Sequence, residues 1–314
     1  MPAADSWRPE AGLTELRARA VLLAQLRAFF AARDILEVET PLLCSYPVTD
    51  PNVVPMTSGE RWLQTSPEYA MKRLLAAGSG PIYQVCKAFR AGEAGASHNP
   101  EFTMLEWYRP GFELPQLMAE VGELMAAVLE RDSYRVVSYR EIFCEQLQLD
   151  PFSASDAELE ACVRSHIDYR PGPEPRDLWL DLLLSHVIEP RLTTEGLLFV
   201  HDYPASQAAL ARLREDASGC YAERFELYVD GVELANGYCE LTDAAEQRCR
   251  FEHDNQLLQA RGQPPRPLDE WLLQALQSGL PMCSGVALGV DRLLQAKLGL
   301  AQLREGLSFP WERS

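Results

Sequence analysis

The chain has 314 residues, 47% hydrophobic and 24% charged, enough for one large buried core or two smaller ones. Its 46 acidic residues against 29 basic ones leave a net charge of −17, opposite to the basic surface a long nucleic acid requires; tRNA is therefore not expected as an obligate partner, although net charge leaves a local basic patch open. No apolar run reaches the roughly 18 residues of a membrane span, Met1 to Pro9 lacks a signal-segment pattern, and the eight cysteines include no C-x-x-C pair, so a cytoplasmic protein with reduced thiols, no zinc site and no membrane contact is expected.

Thr14 to Arg33 predicts an amphipathic helix, with Leu16, Ala20, Leu23, Leu26 and Phe30 on one face. Ile35 to Pro41 alternates like a strand and stops at proline. Gly80-Pro81 opens a second alternating run, Ile82 to Arg90, and after a loop rich in Gly, Ala and Ser a third strand runs from Glu101 to Tyr108. Residues 114–200 read as mostly helical, with loops at Asp150-Pro151 and across the proline-rich stretch Arg170 to Arg176. Strand character returns from Glu223 to Glu240 around the turn signal Asp230-Gly231. A helical arm, Asp243 to Arg261, leads to the proline-rich loop Pro264 to Pro267, and a strand from Gly285 to Gly289 runs into a helix from Asp291. This order predicts one α+β domain over residues 1–314, an antiparallel sheet flanked by helices with a helical insertion at about 114–200. A doubly wound fold is disfavoured, because neither G-x-G-x-x-G after a strand nor G-x-x-x-x-G-K is present.

Three constellations carry chemistry. On the third strand, period-2 geometry puts Phe102, Met104, Glu106 and Tyr108 on one face, and Arg90, ending the preceding strand, can offer a planar fork to a phosphate there. On spacing alone, the favoured reading of this segment is an ordinary hairpin with a surface arginine. In the second, a two-residue turn at Asp230-Gly231 sets Tyr228 opposite Glu233 and Glu226 diagonal to it, two carboxylates that would repel without a cation such as magnesium between them. Asn236, Tyr238 and Glu240 have the opposite parity and join that face only through a bulge, for which Gly237 is the candidate; a solvated acidic hairpin is the plain alternative. In the third, Ser284 to Arg292, two strand glycines imply a close approach to the backbone, and Arg292 lies in the first turn of a helix, where the dipole favours an anion.

In this order the segments resemble the catalytic core of the class II aminoacyl-tRNA synthetases: helix, strand and Pro41, then the F-R-x-x-E hairpin, then G-V-A-L-G-V-D-R. The resemblance covers roughly residues 14 to 310. It is closest to the lysyl branch, through Ser66-Pro67-Glu68, His98 to Phe102, Glu106-x-Tyr108 and Glu233-Leu234-Ala235-Asn236-Gly237-Tyr238-x-Glu240. It implies a homodimer built on the first helix and the Pro41 strand, and ATP activation of an amino acid as an acyl-adenylate. Arg90 and Arg292 would be catalytic, on the α- and γ-phosphates, with Ala91, Gly92, Asn99, Phe102, Glu233, Leu234 and Gly289 completing the ATP site. Glu226 and Glu233 would hold Mg2+, and Ser66, Pro67, Glu68, Glu106, Tyr108, Asn236, Tyr238, Glu240 and Ala287 would surround a lysine-type substrate. No general base is needed, since the substrate carboxylate is already ionised.

The sequence departs from the lysyl pattern in three places. Gly92 stands where a glutamate is usual, with Glu93 next; Ala287 stands where true lysyl-tRNA synthetases have glycine; and few residues precede the first helix, so no anticodon-binding domain is expected. These features, with H-N-P-E-F-T-M-L-E-W-Y-R-P, resemble the paralogous lysyl-branch ligases that attach (R)-β-lysine to a lysine side chain of elongation factor P. The alternatives are a minimal lysyl-tRNA synthetase or lysyl-adenylate supplier using α-lysine, and a non-catalytic amino-acid-binding paralogue. The last predicts broken ATP residues, whereas Arg90, Phe102, Glu226, Glu233 and Arg292 are intact.

Overall fold

The computed structural model describes residues 7–168, 175–194, 196–217 and 219–314. Helix α1 (Leu13–Ala31) buries Leu22, Leu26, Phe29 and Phe30, the spacing of one helical stripe. The next extended segment forms regular pairing only at β1 (Leu36–Glu37), shorter than the expected strand from Ile35 to Pro41. A small separate sheet follows, from β2 (Leu43–Cys44), β3 (Thr57–Ser58) and β4 (Arg61–Leu63), and then α2 (Glu68–Ala76). The hairpin β5 (Ile82–Phe89) and β6 (Glu101–Pro110) leads into α3 (Leu114–Leu129), β7 (Arg135–Ser138), α4 (Tyr139–Leu147), α5 (Asp156–His166) and α6 (Arg176–Leu183). A π turn (Leu184–Ile188) and a 3-10 turn (Glu189–Thr194) precede β8 (Leu197–Pro204), β9 (Leu213–Asp216), β10 (Gly219–Val229) and β11 (Val232–Cys239). The chain ends through α7 (Ala244–Ala260), α8 (Glu270–Gly279), β12 (Cys283–Gly289) and α9 (Val290–Leu298).

Among the described residues the main sheet has nine strands, ordered β1-β5-β6-β12-β11-β10-β8-β7, with β9 added along β10. The two outer pairings, β1 with β5 and β7 with β8, are parallel, and the rest are antiparallel. The fold is α+β, as the sequence predicts. On one face, Leu105, Trp107, Leu227 and Leu288 pack against α1, α3 and α9. Trp107 also donates through Nε1 to Glu120 Oε1 over 2.9 Å, so its truncation would remove both packing and a buried hydrogen bond, a loss of about 3–5 kcal/mol. The opposite face is covered at its two ends by separate apolar clusters. Tyr139, Phe143 and Tyr203 belong to one, and Met71, Leu272 and Leu276 to the other. Between them the sheet carries polar side chains.

Two strands that begin within 114–200, β7 and β8, escape a helical reading. Leu197, Leu198, Phe199 and Val200 are all buried, so this strand lacks the alternation that marks a half-covered one. Helices α2 and α8 were also not expected; Asp269 caps the latter by accepting from the Trp271 and Leu272 amides. Of the proline-rich stretch Arg170 to Arg176, residues 170–174 lie outside the described residues.

Candidate active site

Cross-strand partners share a sheet face. One row across this face runs Gln84, Glu106, Ala287, Asn236 and Glu226, and the next runs Tyr108, Gly285 and Tyr238. The parity obstacle in the second hairpin is removed by a bulge. Tyr228 pairs with Glu233, but Leu227 pairs with Ala235, so Leu234 is the extra residue. The bulge therefore lies at Leu234 and not at Gly237, and it turns Asn236, Tyr238 and Glu240 onto the face of Glu233. Gly237 serves a different need, because a Cβ there would lie 2.4 Å from the Phe225 ring.

Over these rows lies a cavity of about 380 Å³. At its acidic end stand Ser66, Glu68, Glu106, Tyr108, Tyr238 and Glu240, with Asn236 and Ala287 in its floor. Glu106 accepts from Ser66 Oγ and from Tyr108 OH, each over 2.6 Å. Burial, with the charge of Glu68, pushes Glu106 up to about 7 against the effect of these two hydrogen bonds. Burial likewise pushes Glu240 up to about 8; the Lys72 ammonium opposes this, while Glu68 and Glu106 add to it. Glu240 Oε2 is 2.6 Å from Lys72 Nζ, an ion pair between two buried groups. Such an end is built for cations with N–H donors.

The other end is lined by Arg90, Asn99, Phe102, Glu233, Leu234, Gly289 and Arg292. The Arg90 guanidinium sits 5.2 Å from the Phe102 ring centroid, and its Nε donates to the Thr65 carbonyl over 3.4 Å. Arg292 donates to the Glu233 carbonyl over 2.6 Å, and its Nη2 is 2.7 Å from His98 Nε2. Burial, then the Arg292 charge, lowers His98, keeping its ring neutral beside the guanidinium. Asn99 donates to the Glu101 carbonyl over 2.6 Å and accepts from the Trp311 amide over 2.9 Å, which fixes its side chain.

Pro67, Ala91, Gly92 and Glu226 are not among the lining residues. Pro67 caps α2, and Ala91 donates its amide to the Val54 carbonyl. Gly92 has φ +81, a left-handed conformation suited to glycine, and the next residue, Glu93, lines the cavity with its carboxylate 3.8 Å from Arg90. Sequence reasoning noticed Glu93 but gave it no place, and it missed His98 as a partner of Arg292 and Lys72 altogether. The Glu68/Lys72 i, i+4 spacing was a readable signal for the last.

Glu226 lies on the same sheet face, buried at the end of the row and outside the cavity lining. Its Oε2 accepts from Tyr203 OH and Tyr228 OH, each over 2.6 Å, and its Oε1 pairs with Arg224. Glu233 is raised by burial and then by the charge of Glu226. Relief of that repulsion by a divalent ion suits the hard oxygen donors present. Among the described residues no group of three or more His, Cys, Asp or Glu is placed to hold a metal by itself. A magnesium ion here would fill its shell with phosphate oxygens and water.

A family model described as tRNA synthetases class II (D, K and N) matches residues 4–313. The elongation factor P--(R)-beta-lysine ligase of Pasteurella multocida (strain Pm70) is 47% identical over 320 residues, covering 99% of each chain. The protein of the same name from Edwardsiella ictaluri (strain 93-146) is 47% identical over 322 residues, covering 98% of each. On the floor just described, with its acidic end, its arginine-lined end and these full-length matches, the chain belongs to the class II (D, K and N) tRNA synthetase family, in the branch of the elongation factor P--(R)-beta-lysine ligases.

Proposed function

We propose that this chain is an ATP-dependent ligase that activates (R)-β-lysine as an acyl-adenylate and transfers the β-lysyl group to a lysine side chain of elongation factor P. The observation that carries the substrate class is the set of three carboxylates at one end of the cavity, the buried Glu106 and Glu240 and the partly exposed Glu68. Carboxylates held there can bind the two ammonium groups of β-lysine while its own carboxylate faces the arginines. Ala287, between Glu106 and Asn236 in the row, adds a methyl group where the substrate backbone would lie.

At the arginine end, Arg90 and Arg292 supply fixed positive charge for triphosphate oxygens, and the Phe102 ring offers a stacking face for adenine. Asn99, Leu234 and Gly289 complete this end, with Glu93 serving in place of the glutamate usual at position 92. The substrate carboxylate attacks the α-phosphorus, and pyrophosphate leaves with the electron pair; positioning and charge stabilisation suffice, with no base. The acceptor amine then attacks the acyl carbon, releasing AMP. Glu233 and Glu226 would hold magnesium, which spreads the charge of the phosphate oxygens when bound. Pro67, Ala91 and Gly92 act by shaping the loops that carry Glu68 and Arg90.

The exposed apolar residues Leu13 and Val21 on α1, with Leu36, Leu42 and Leu43 just after it, support a homodimer through this surface. No helix among the described residues is long and apolar enough to cross a membrane, and we place the enzyme in the cytoplasm with its translation-factor acceptor. The test of the substrate is pyrophosphate exchange with purified enzyme: stimulation by (R)-β-lysine supports it, and stimulation by α-lysine alone contradicts it.

A further inference from the structure

Lys72 stands behind the acidic end of the cavity and not in it. Its side chain is 1% exposed, with Nζ 2.7 Å from Glu68 Oε1 on its own helix and 2.6 Å from Glu240 Oε2 just past β11. Both carboxylates line the cavity, whereas Lys72 does not. The groups facing them are Glu106 and Tyr108 from β6, Cys86 from β5, Tyr238 from β11 and Cys283 from β12, none of which brings a positive charge. Without Lys72, three carboxylates would crowd one end of the cavity with no cation beside them, and each would raise the others further. Losing one member of a buried ion pair leaves the other uncompensated.

We propose that Lys72 is a positioning residue that clamps Glu68 and Glu240 from behind and balances one of the three carboxylates, leaving the other two to pair with an amino acid bearing two ammonium groups. The inference rests on the reading that the cavity takes β-lysine. Three carboxylates and one buried ammonium leave room for two substrate ammonium groups and no more. An amino acid with a single ammonium leaves one carboxylate unpaired, and the pocket rejects it for that reason. The same clamp ties α2 to the end of β11. Removing Lys72 makes Glu240 hold its proton more tightly, and an incoming ammonium must then displace it.

The experiment is pyrophosphate exchange on the full chain, wild type against Lys72→Met, Lys72→Gln and Lys72→Arg, from about pH 6.5 to about pH 9. Lys72→Met is expected to raise the KM for (R)-β-lysine about tenfold at neutral pH, to leave the KM for ATP within about twofold, and to recover only at the upper end of the range, above the value of about 8 that Glu240 has beside Lys72. Lys72→Gln, which keeps a hydrogen-bond donor without the charge, should show the same signature and carries the test if the methionine variant does not fold. Lys72→Arg should retain the wild-type pH profile. An unaltered β-lysine KM in both neutral variants would overturn the inference, and so would a loss shared equally by both substrates and independent of pH. Failure of the wild type itself to exchange with β-lysine would overturn the underlying reading and the inference with it, whereas an active wild type with indifferent variants overturns the inference alone.

Discussion

Gly285 and Glu240 stand so close that a Cβ on Gly285 would lie 2.6 Å from Glu240 Oε1, and 2.3 Å from the Tyr108 ring on the other side. The glycine is therefore a condition for two of the groups at the acidic end to face the cavity together. Gly285→Ala is expected to displace them by about an ångström and to lower kcat/KM for the amino acid about 100-fold. Nucleotide binding, measured by calorimetry, should be unaffected.

Ala287 lies in register between Glu106 and Asn236, in contact with the space the substrate backbone would occupy. Ala287→Gly should relieve that crowding. One methyl group in a pocket is worth about tenfold or more in discrimination, so α-lysine-dependent pyrophosphate exchange is expected to rise by about that factor. Equal stimulation by α-lysine in wild type and variant would remove the methyl group from the account of specificity.

The acidic end makes stability depend on pH. Glu106, at about 7, and Glu240, at about 8, lie above the ordinary 4.5 of a glutamate. Between those values the folded chain holds protons that the unfolded chain has released. Stability is therefore present at low pH and lost as pH rises through the folded values. Thermal melting of the free enzyme should fall between about pH 6 and about pH 8.5, and (R)-β-lysine should raise the melting temperature more at the upper end, because its ammonium groups replace the departing protons. Glu106→Gln should flatten this dependence.

Tyr203 and Tyr228 hold Glu226 beside Glu233. If the two carboxylates carry magnesium, chelation abolishes exchange and added magnesium restores it. Tyr203→Phe, which removes one of the orienting hydroxyls, should raise the magnesium concentration for half-activity about tenfold. Unchanged magnesium dependence in that variant would separate Glu226 from the metal.

Much of the site was legible because its residues sit on strands with clean alternation. Phe102, Glu106 and Tyr108 share a face by period alone, and the H-N-P-E-F-T-M-L-E-W-Y-R-P stretch states that face outright. What was not legible arises from register and from distance along the chain. A bulge leaves no mark beyond a parity conflict, so the sequence points to the glycine at 237, whereas the register, with Leu227 opposite Ala235, makes Leu234 the extra residue. The Lys72–Glu240 pair joins α2 to the end of a strand far along the chain, and nothing local to either residue announces the other. Strand β8 was lost among helices because both of its faces are covered, and burial on both faces erases the alternation that identifies a strand.

The central claim is that this core charges a protein with β-lysine. It is tested most directly by incubating the enzyme with ATP, magnesium, (R)-β-lysine and elongation factor P, and weighing the factor by mass spectrometry. The account predicts a gain of one lysyl residue on a single lysine side chain, dependent on ATP and absent with Arg292→Ala enzyme. An elongation factor of unchanged mass, with label from α-lysine appearing on tRNA instead, would contradict it.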